Sequence, residues 1–473
     1  METISLSEEK PLCSRDLKRL RRHAAKVFER LEEKIHGDCN DGSFPPPSWV
    51  KDESGRKNNN KDITDTDTDN KQTTEAASFR KRYFDNYGFW VARGFCDSKQ
   101  ASDMKQEMGD SVKDHWFPEG TSEEGKNNGK EETAKTKQHQ KQQKVTAFGT
   151  DAKSNEARGD PFLESADKVS YFAEPTALDP ASGSLKQEFR DRDKKMLALC
   201  KAGHGLHLPS SFRRCVENEN KRSDNTDEDE NCNHKKKNKN THEPFFDYTS
   251  SSKLRELVLS LGYRDPVVPQ SMYIFKNPKL GGAVHSHQDS TFLYTTPRQT
   301  CLGLWLALDD ATLQNGCLWV RPKSHREPLR RQFLRNPKHK ADDSEPKLTF
   351  EQHHENSEVT WEGSLPESVN VTSEESESNG TPKNEPETIS SLNFVPVEVK
   401  AGDLVVFCGT LDHFSLPNFS EEQRHTFQLH LVEGPNVGIR WSPSNWLQYE
   451  NSSEETTEQR NQFLRLLDYA NEI

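Results

Sequence analysis

Apolar positions along this chain change their period several times, and each change marks an element. Leu17, Leu20, Ala24, Val27 and Leu31 recur at spacings of three and four, which predicts a basic helix with one apolar stripe over residues 13–35. Residues 36–75 lose the pattern; Pro45-Pro46-Pro47 and an Asn/Lys/Asp/Thr run read as linker. Pattern resumes near Phe79, with a helix end, a turn and a first strand over 84–91, then a helix from Asp97 to His115. A further strand is expected over 167–172 and a helix over 251–261. From there the chain reads as successive short strands, at Ser271–Phe275, His285–Tyr294, Cys301–Leu308, Cys317–Val320, Val395–Val399, Leu404–Phe407 and His425–Leu431. Asn315-Gly316 is a strong turn signal between two of them. Short strands separated by turns predict a mainly β protein, a sandwich or barrel such as the jelly roll, with the helices packed outside.

Polar stretches interrupt this order near residues 119–154, 217–242 and 338–391. The expected organisation is an N-terminal helix and linker over 1–78, one β domain over 79–448, and a tail over 449–473. Composition agrees with one core rather than two or three. Hydrophobic residues make up 30% of the chain and mean hydropathy is −1.02, as expected for a core of about 250 residues carrying solvated insertions. A formal charge of −12 argues against a nucleic-acid partner, which needs a basic face. Nine scattered cysteines without a CxxC pair argue against a disulfide framework or a structural zinc. No apolar run approaches the roughly 18 residues of a membrane span, and Met1–Ser5 lacks the start of a signal peptide. The expected setting is reducing and cytoplasmic. Glu8 and Glu9 count against a mitochondrial presequence, and Asn471-Glu472-Ile473 is not a Ser-Lys-Leu tail, although peroxisome and mitochondrion stay open as alternatives.

The chemistry concentrates at His285-Ser286-His287-Gln288-Asp289. On a strand, His287 and Asp289 point one way and Gln288 turns outward. An imidazole beside a carboxylate is two thirds of a 2-His-1-carboxylate facial triad, which holds Fe(II) by one face. His285 shares that face and is a rival ligand; an ordinary hydrogen-bonded His–Asp pair is the bland alternative. His413 is the best candidate for the second histidine. It lies just past the buried strand Leu404–Phe407, so it is rigidly held at the edge of a cavity. Arg424, opening the next strand, can bind a carboxylate bidentately, and Ser415 and Ser420 can add hydroxyl donors.

With these residues in view, Gln270 to about Trp446 resembles the phytanoyl-CoA dioxygenase family of Fe(II)/2-oxoglutarate oxygenases. The resemblance is carried by Gln270–Lys276, His287-Gln288-Asp289, Phe292–Thr295, Asp310–Leu313, Asn315–Trp319, His413 with Ser415, Asn418, Ser420 and Arg424, and Trp441–Leu447. It implies a double-stranded β-helix core of jelly-roll or cupin type, with His287, Asp289 and His413 as iron ligands and Arg424 as the 2-oxoglutarate anchor. It further implies that Lys168, Met272 and Trp305 touch the co-substrate. Alone, Met272 and Trp305 read as core residues and Lys168 as a strand-edge lysine. The implied reaction hydroxylates a C–H bond of a small-molecule or acyl substrate with O2, releasing succinate and CO2. Within the resemblance, Asp289 favours hydroxylation over halogenation, since halogenating relatives lack that carboxylate. A catalytically silent binding scaffold and a cupin-type metal enzyme of other chemistry are the rival readings. The N-terminal extension and the polar insertions depart from the family pattern.

Overall fold

The computed structural model describes residues 2–5, 13–36, 70–116, 146–148, 160–212, 242–353, 368–371, 393–449 and 463–468. Most of the first two polar insertions and the centre of the third lie outside these residues. The strands that build the site region are, in chain order, β1 (Phe89–Ala92), β2 (Val169–Ala173), β3 (Leu199–His204), β4 (Pro266–Lys276), β5 (Val284–His287), β6 (Leu302–Ala307) and β7 (Leu318–Val320). They continue with β8 (Arg331–Arg335), β9 (Leu348–Gln352), β10 (Val395–Val397), β11 (Leu404–Cys408), β12 (His413–Ser415), β13 (Arg424–Glu433) and β14 (Leu464–Arg465). A large antiparallel sheet runs β1-β11-β6-β13-β4-β3-β2, with β14 added beside β4, and a small sheet runs β10-β7-β12-β5. Two facing antiparallel sheets of this kind form the expected jelly roll.

Alternation along the central strands explains why the sheets face each other. Leu302, Leu304 and Leu306 of β6, Leu404 and Val406 of β11, and Phe427, Leu429 and Leu431 of β13 belong to one apolar cluster. Helices cover it: α3 (Ser98–His115) contributes Met104, Met108 and Val112, and α4 (Ser252–Ser260) contributes Leu254, Leu257 and Val258. The intervening residues Trp305, Ala307, Val405 and Phe407 join a second cluster with Trp319, Val320, Val395, Val397 and Phe414 of the small sheet. Side chains that alternate faces thus bind helices on one side and the second sheet on the other. Leu304 is 1% exposed, so Leu304→Ala leaves a cavity costing about 2–5 kcal/mol. Helix α3 starts cleanly because Asp97 accepts from Gln100 N at 2.8 Å while Gln100 Oε1 accepts from Asp97 N at 3.1 Å.

Helix α1 (Ser14–His36) buries Leu20, Ala24 and Val27 of its predicted stripe against the inter-sheet cluster. Arg21 donates to both oxygens of Glu398, at 2.7 and 2.9 Å, just past β10. Helix α2 (Asn70–Tyr87) begins inside the stretch read as linker. In the segment set down as a tail, β14 pairs with Val267 and Val268 of β4. The opening of the third expected insertion is ordered, since β9 pairs with β8 in full register, Phe350 opposite Phe333. Phe333 and Leu348 are buried in a third apolar cluster with Phe350 packed against it, so the hairpin joins the core although Leu348–Gln352 lies in a polar run.

One local prediction is corrected. The strand expected to run from His285 to Tyr294 stops at His287, and Asp289–Thr291 is a 3-10 turn. Phe292 N and Leu293 N bond back to Asp289 O at 2.9 and 3.1 Å, and Ser290 N bonds to Gly409 O at 2.8 Å. Gln288 does not face solvent either. It is 0% exposed, donating to Thr410 O and accepting from Arg330 N.

Candidate active site

The small sheet brings two histidines together. On the paired strands β5 and β12, His413 stands directly opposite His287, and their ring centroids are 4.2 Å apart. Asp289 reaches the same point from the turn beyond β5. Its Oδ1 lies 3.3 Å from His287 Nε2 and 3.5 Å from His413 Nε2. One ligand atom from each of the three residues falls within a 4.8 Å span, the only such group among the described residues. Both imidazoles are oriented by the backbone two residues earlier. His287 Nδ1 donates to His285 O at 2.7 Å and His413 Nδ1 donates to Leu411 O at 3.0 Å. With the hydrogen fixed on Nδ1, each Nε2 turns a lone pair to the common centre. His285 therefore contributes its carbonyl, and its ring is not in the group.

The electrostatics suit a cation. Burial alone would raise the Asp289 carboxyl, but the imidazoles of His430, His413 and His287 outweigh it and hold the carboxyl well below its usual range. Burial, helped by neighbouring His287, pushes His413 down to about 4, so it is a neutral donor at physiological pH. Two imidazoles and one carboxylate, closely spaced, match a divalent metal of the facial-triad type.

The other carboxylate oxygen has its own partner. Asp289 Oδ2 accepts from His430 Nε2 at 3.0 Å, and Gln270 Nε2 lies 3.1 Å from His430 Nδ1. His430 belongs to a polar row on β13, Arg424, Thr426, Gln428 and His430, which alternates with Phe427, Leu429 and Leu431. Across the sheet, Thr426, Gln428 and His430 oppose Ala307, Trp305 and Gly303 of β6. A polar row on an inward face was the available signal for His430, and local motif reasoning passed over it.

Arg424 heads that row. It is 1% exposed, its guanidinium carbon lies 5.2 Å from the Trp305 ring centroid, and Nη1 makes one long contact to Thr426 Oγ1 at 3.4 Å. Its Nε has no acceptor among the described residues. Burial lowers Arg424 to about 10, which leaves it charged at neutral pH. A buried guanidinium with unmatched donors fits a carboxylate. Directly opposite on β4, Lys276 donates to Gly282 O at 2.9 Å, Ser415 Oγ at 2.9 Å and Leu416 O at 2.6 Å. Because Ser415 Oγ accepts from Lys276, the Ser415 hydroxyl hydrogen is free to donate.

The remaining predicted residues separate. Trp305 stacks on Arg424, and part-exposed Met272 lies opposite Gln428 on the inward face. Lys168 precedes β2, with Nζ 3.5 Å from Glu164. Ser420 is turned to Asn418 Oδ1 and Glu422 O, closing a surface turn.

The model of the family described as Phytanoyl-CoA dioxygenase (PhyH) matches residues 84–426. "Phytanoyl-CoA dioxygenase" of Arabidopsis thaliana is 36% identical over 287 residues, covering 61% of this chain and 72% of the relative. "Phytanoyl-CoA dioxygenase 1" of Oryza sativa subsp. japonica is 31% identical, covering 78% and 92%. "Phytanoyl-CoA dioxygenase domain-containing protein 1" of Mus musculus is 32% identical, covering 77% and 92%.

Proposed function

The chain belongs to the phytanoyl-CoA dioxygenase family and is a dioxygenase using iron and 2-oxoglutarate, and from that premise we propose that it hydroxylates a C–H bond of a small-molecule or acyl substrate. The observation that carries the residue roles is the convergence of His287, Asp289 and His413 within 4.8 Å, with both imidazoles oriented through Nδ1. His287 Nε2, His413 Nε2 and Asp289 Oδ1 hold Fe(II). Bound iron supplies O2 activation, which couples decarboxylation of 2-oxoglutarate to succinate and CO2 with oxidation of the substrate.

Arg424 receives the far carboxylate of 2-oxoglutarate, and Trp305 keeps the guanidinium flat against that end. Ser415 donates its free hydroxyl hydrogen to the same anion, with Met272 as an apolar wall. Lys168, whose Nζ lies 3.5 Å from Glu164, is kept as a further contact to the co-substrate on the family resemblance alone. His287 has the most exposed side chain of the triad, 18% against 8% and 6% for Asp289 and His413. Phe292 stands edge-on to His287, and Phe333 and Phe350 continue that aromatic wall. Substrate therefore approaches on the His287 side, along an apolar surface that keeps water away from the reacting bond.

Anaerobic addition of Fe(II) and 2-oxoglutarate tests this reading. The wild-type protein is expected to develop a weak visible charge-transfer band and to form succinate on aeration, and Asp289→Ala is expected to lose both. A wild-type protein with neither band nor succinate overturns the role given to the triad.

A further inference from the structure

The carboxylate of Asp289 is divided between two environments. Oδ1 lies against His287 and His413, while Oδ2 lies 3.0 Å from His430 Nε2. His430 and Gln270 are 4% and 5% exposed, so neither is oriented by solvent. Gln270 Nε2 faces His430 Nδ1 at 3.1 Å. An amide N–H donating to Nδ1 requires the His430 hydrogen to sit on Nε2, pointing at Oδ2. The reversed amide would move that hydrogen to Nδ1 and leave two lone pairs facing each other at Nε2 and Oδ2. The sheet leaves room for this arrangement at one position. Gly303 is the cross-strand partner of His430, and a Cβ there would stand 3.0 Å from Asp289 Oδ2 and 2.5 Å from the Phe407 ring.

We infer that His430 is a positioning residue that holds Oδ2 through its Nε2 hydrogen and so restricts Asp289 to offering the metal a single oxygen. Gln270 sets the tautomer, and Gly303 provides the space. The inference rests on the triad being the metal site. Its consequence is coordinative. Three protein atoms leave three positions on a six-coordinate ion, enough for a two-point chelate and O2. A carboxylate free to swing round and offer both oxygens removes one of them. Partners at this remove from a metal typically change affinity by about 10–100-fold.

Cobalt(II) titration of the full-length, metal-free protein tests this without turnover, with affinity and the intensity of the d–d absorption as readouts. Wild type is expected to bind one equivalent with the weak spectrum of a six-coordinate ion. His430→Ala is expected to weaken binding by about 10–100-fold and to alter the band. His430→Gln places an amide N–H near the same point and is expected to recover most of both. Gln270→Leu removes only the tautomer control and is expected to fall between wild type and His430→Ala. Thermal melts of the metal-free variants accompany the titration. If His430→Ala does not fold, His430→Gln and Gln270→Leu carry the comparison. Wild-type affinity and spectrum in His430→Ala, or in Gln270→Leu where that variant must stand in, overturn the inference, as does a His430→Gln protein no better than His430→Ala. A wild-type protein that takes up no cobalt overturns the metal site itself, a separate result.

Discussion

At the metal end of the site every ring hydrogen has a destination: His287 on His285 O, His413 on Leu411 O, His430 on Asp289 Oδ2. Less deeply committed is the anion end, where Arg424, 1% exposed, keeps an Nε with no acceptor among the described residues. Both ends lie on the inner surface of one barrel, yet they handle hydrogens in opposite ways. A metal needs lone pairs presented to it, so the hydrogens are drawn off to the backbone. A carboxylate needs hydrogens presented to it, so donors are left unmatched until it arrives. An unsatisfied buried donor costs about 1–3 kcal/mol, more for a charged group, and that cost is relieved when the anion binds.

The most severe way to break the metal end is to remove a ligand. His413→Ala is expected to abolish iron uptake, read by equilibrium metal analysis, while 2-oxoglutarate still protects Arg424 from a guanidinium-modifying reagent. Loss of that protection would show that the two ends are one unit rather than separately built.

Arg424→Met attacks the other end. It is expected to leave iron stoichiometry intact and to raise the 2-oxoglutarate requirement by about 30-fold or more, equivalent to about 2 kcal/mol. Because it removes an unmatched buried cation, it is also expected not to lower the melting temperature of the ligand-free protein. A marked drop would show that Arg424 already has a structural partner.

Lys276→Met sharpens the contrast, because Lys276 lies opposite Arg424 and yet its Nζ has three oxygen partners within hydrogen-bond distance. Its removal orphans Gly282 O, Leu416 O and Ser415 Oγ and is expected to cost about 3 kcal/mol of stability, read by denaturant unfolding. A loss near zero would place Lys276 with Arg424 rather than with the matched groups.

The smallest expected effect is a pH dependence outside both ends. His425 accepts from Tyr273 Oη at 2.9 Å, and burial depresses it from 6.5 to about 4. Between those values the unfolded chain binds the extra proton, so stability is lost as pH falls from about 6.5 towards 4. His425→Gln is expected to flatten that part of the melting-temperature profile, and an unchanged slope would assign the acid sensitivity elsewhere.

These contrasts also explain what could be read in the chain. His287, Asp289, His413 and Arg424 are legible as candidates because each sits at a strand end or turn, where an apolar pattern meets an isolated chemical group. The strands themselves follow from short apolar runs between turn signals, such as Cys301–Leu308 and Leu404–Phe407, which are buried on both faces. His430, Gln270, Gly303 and Lys276 were not visible as site residues. Their roles depend on which residue stands across the sheet, and register between distant strands leaves no local mark in the sequence. The turn at Asp289 was missed for a similar reason, since Ser290–Thr295 carries strand-forming residues and the bond from Ser290 N to Gly409 O comes from far along the chain. Strand β9 reads as part of an insertion because Leu348 and Phe350 are isolated in a polar run, and their burial depends on Phe333 and Phe292 from earlier in the chain.

The most direct test compares two ligands in two proteins. The affinity of the Fe(II)-loaded protein, measured anaerobically through the charge-transfer band, is to be found for 2-oxoglutarate and for 2-oxobutyrate, which chelates equally but lacks the far carboxylate. Wild type is expected to prefer 2-oxoglutarate by about 30-fold or more, and Arg424→Met to bind the two alike while keeping the band. Equal binding in wild type, or a preference that survives in Arg424→Met, would contradict an anion end built around the unmatched guanidinium.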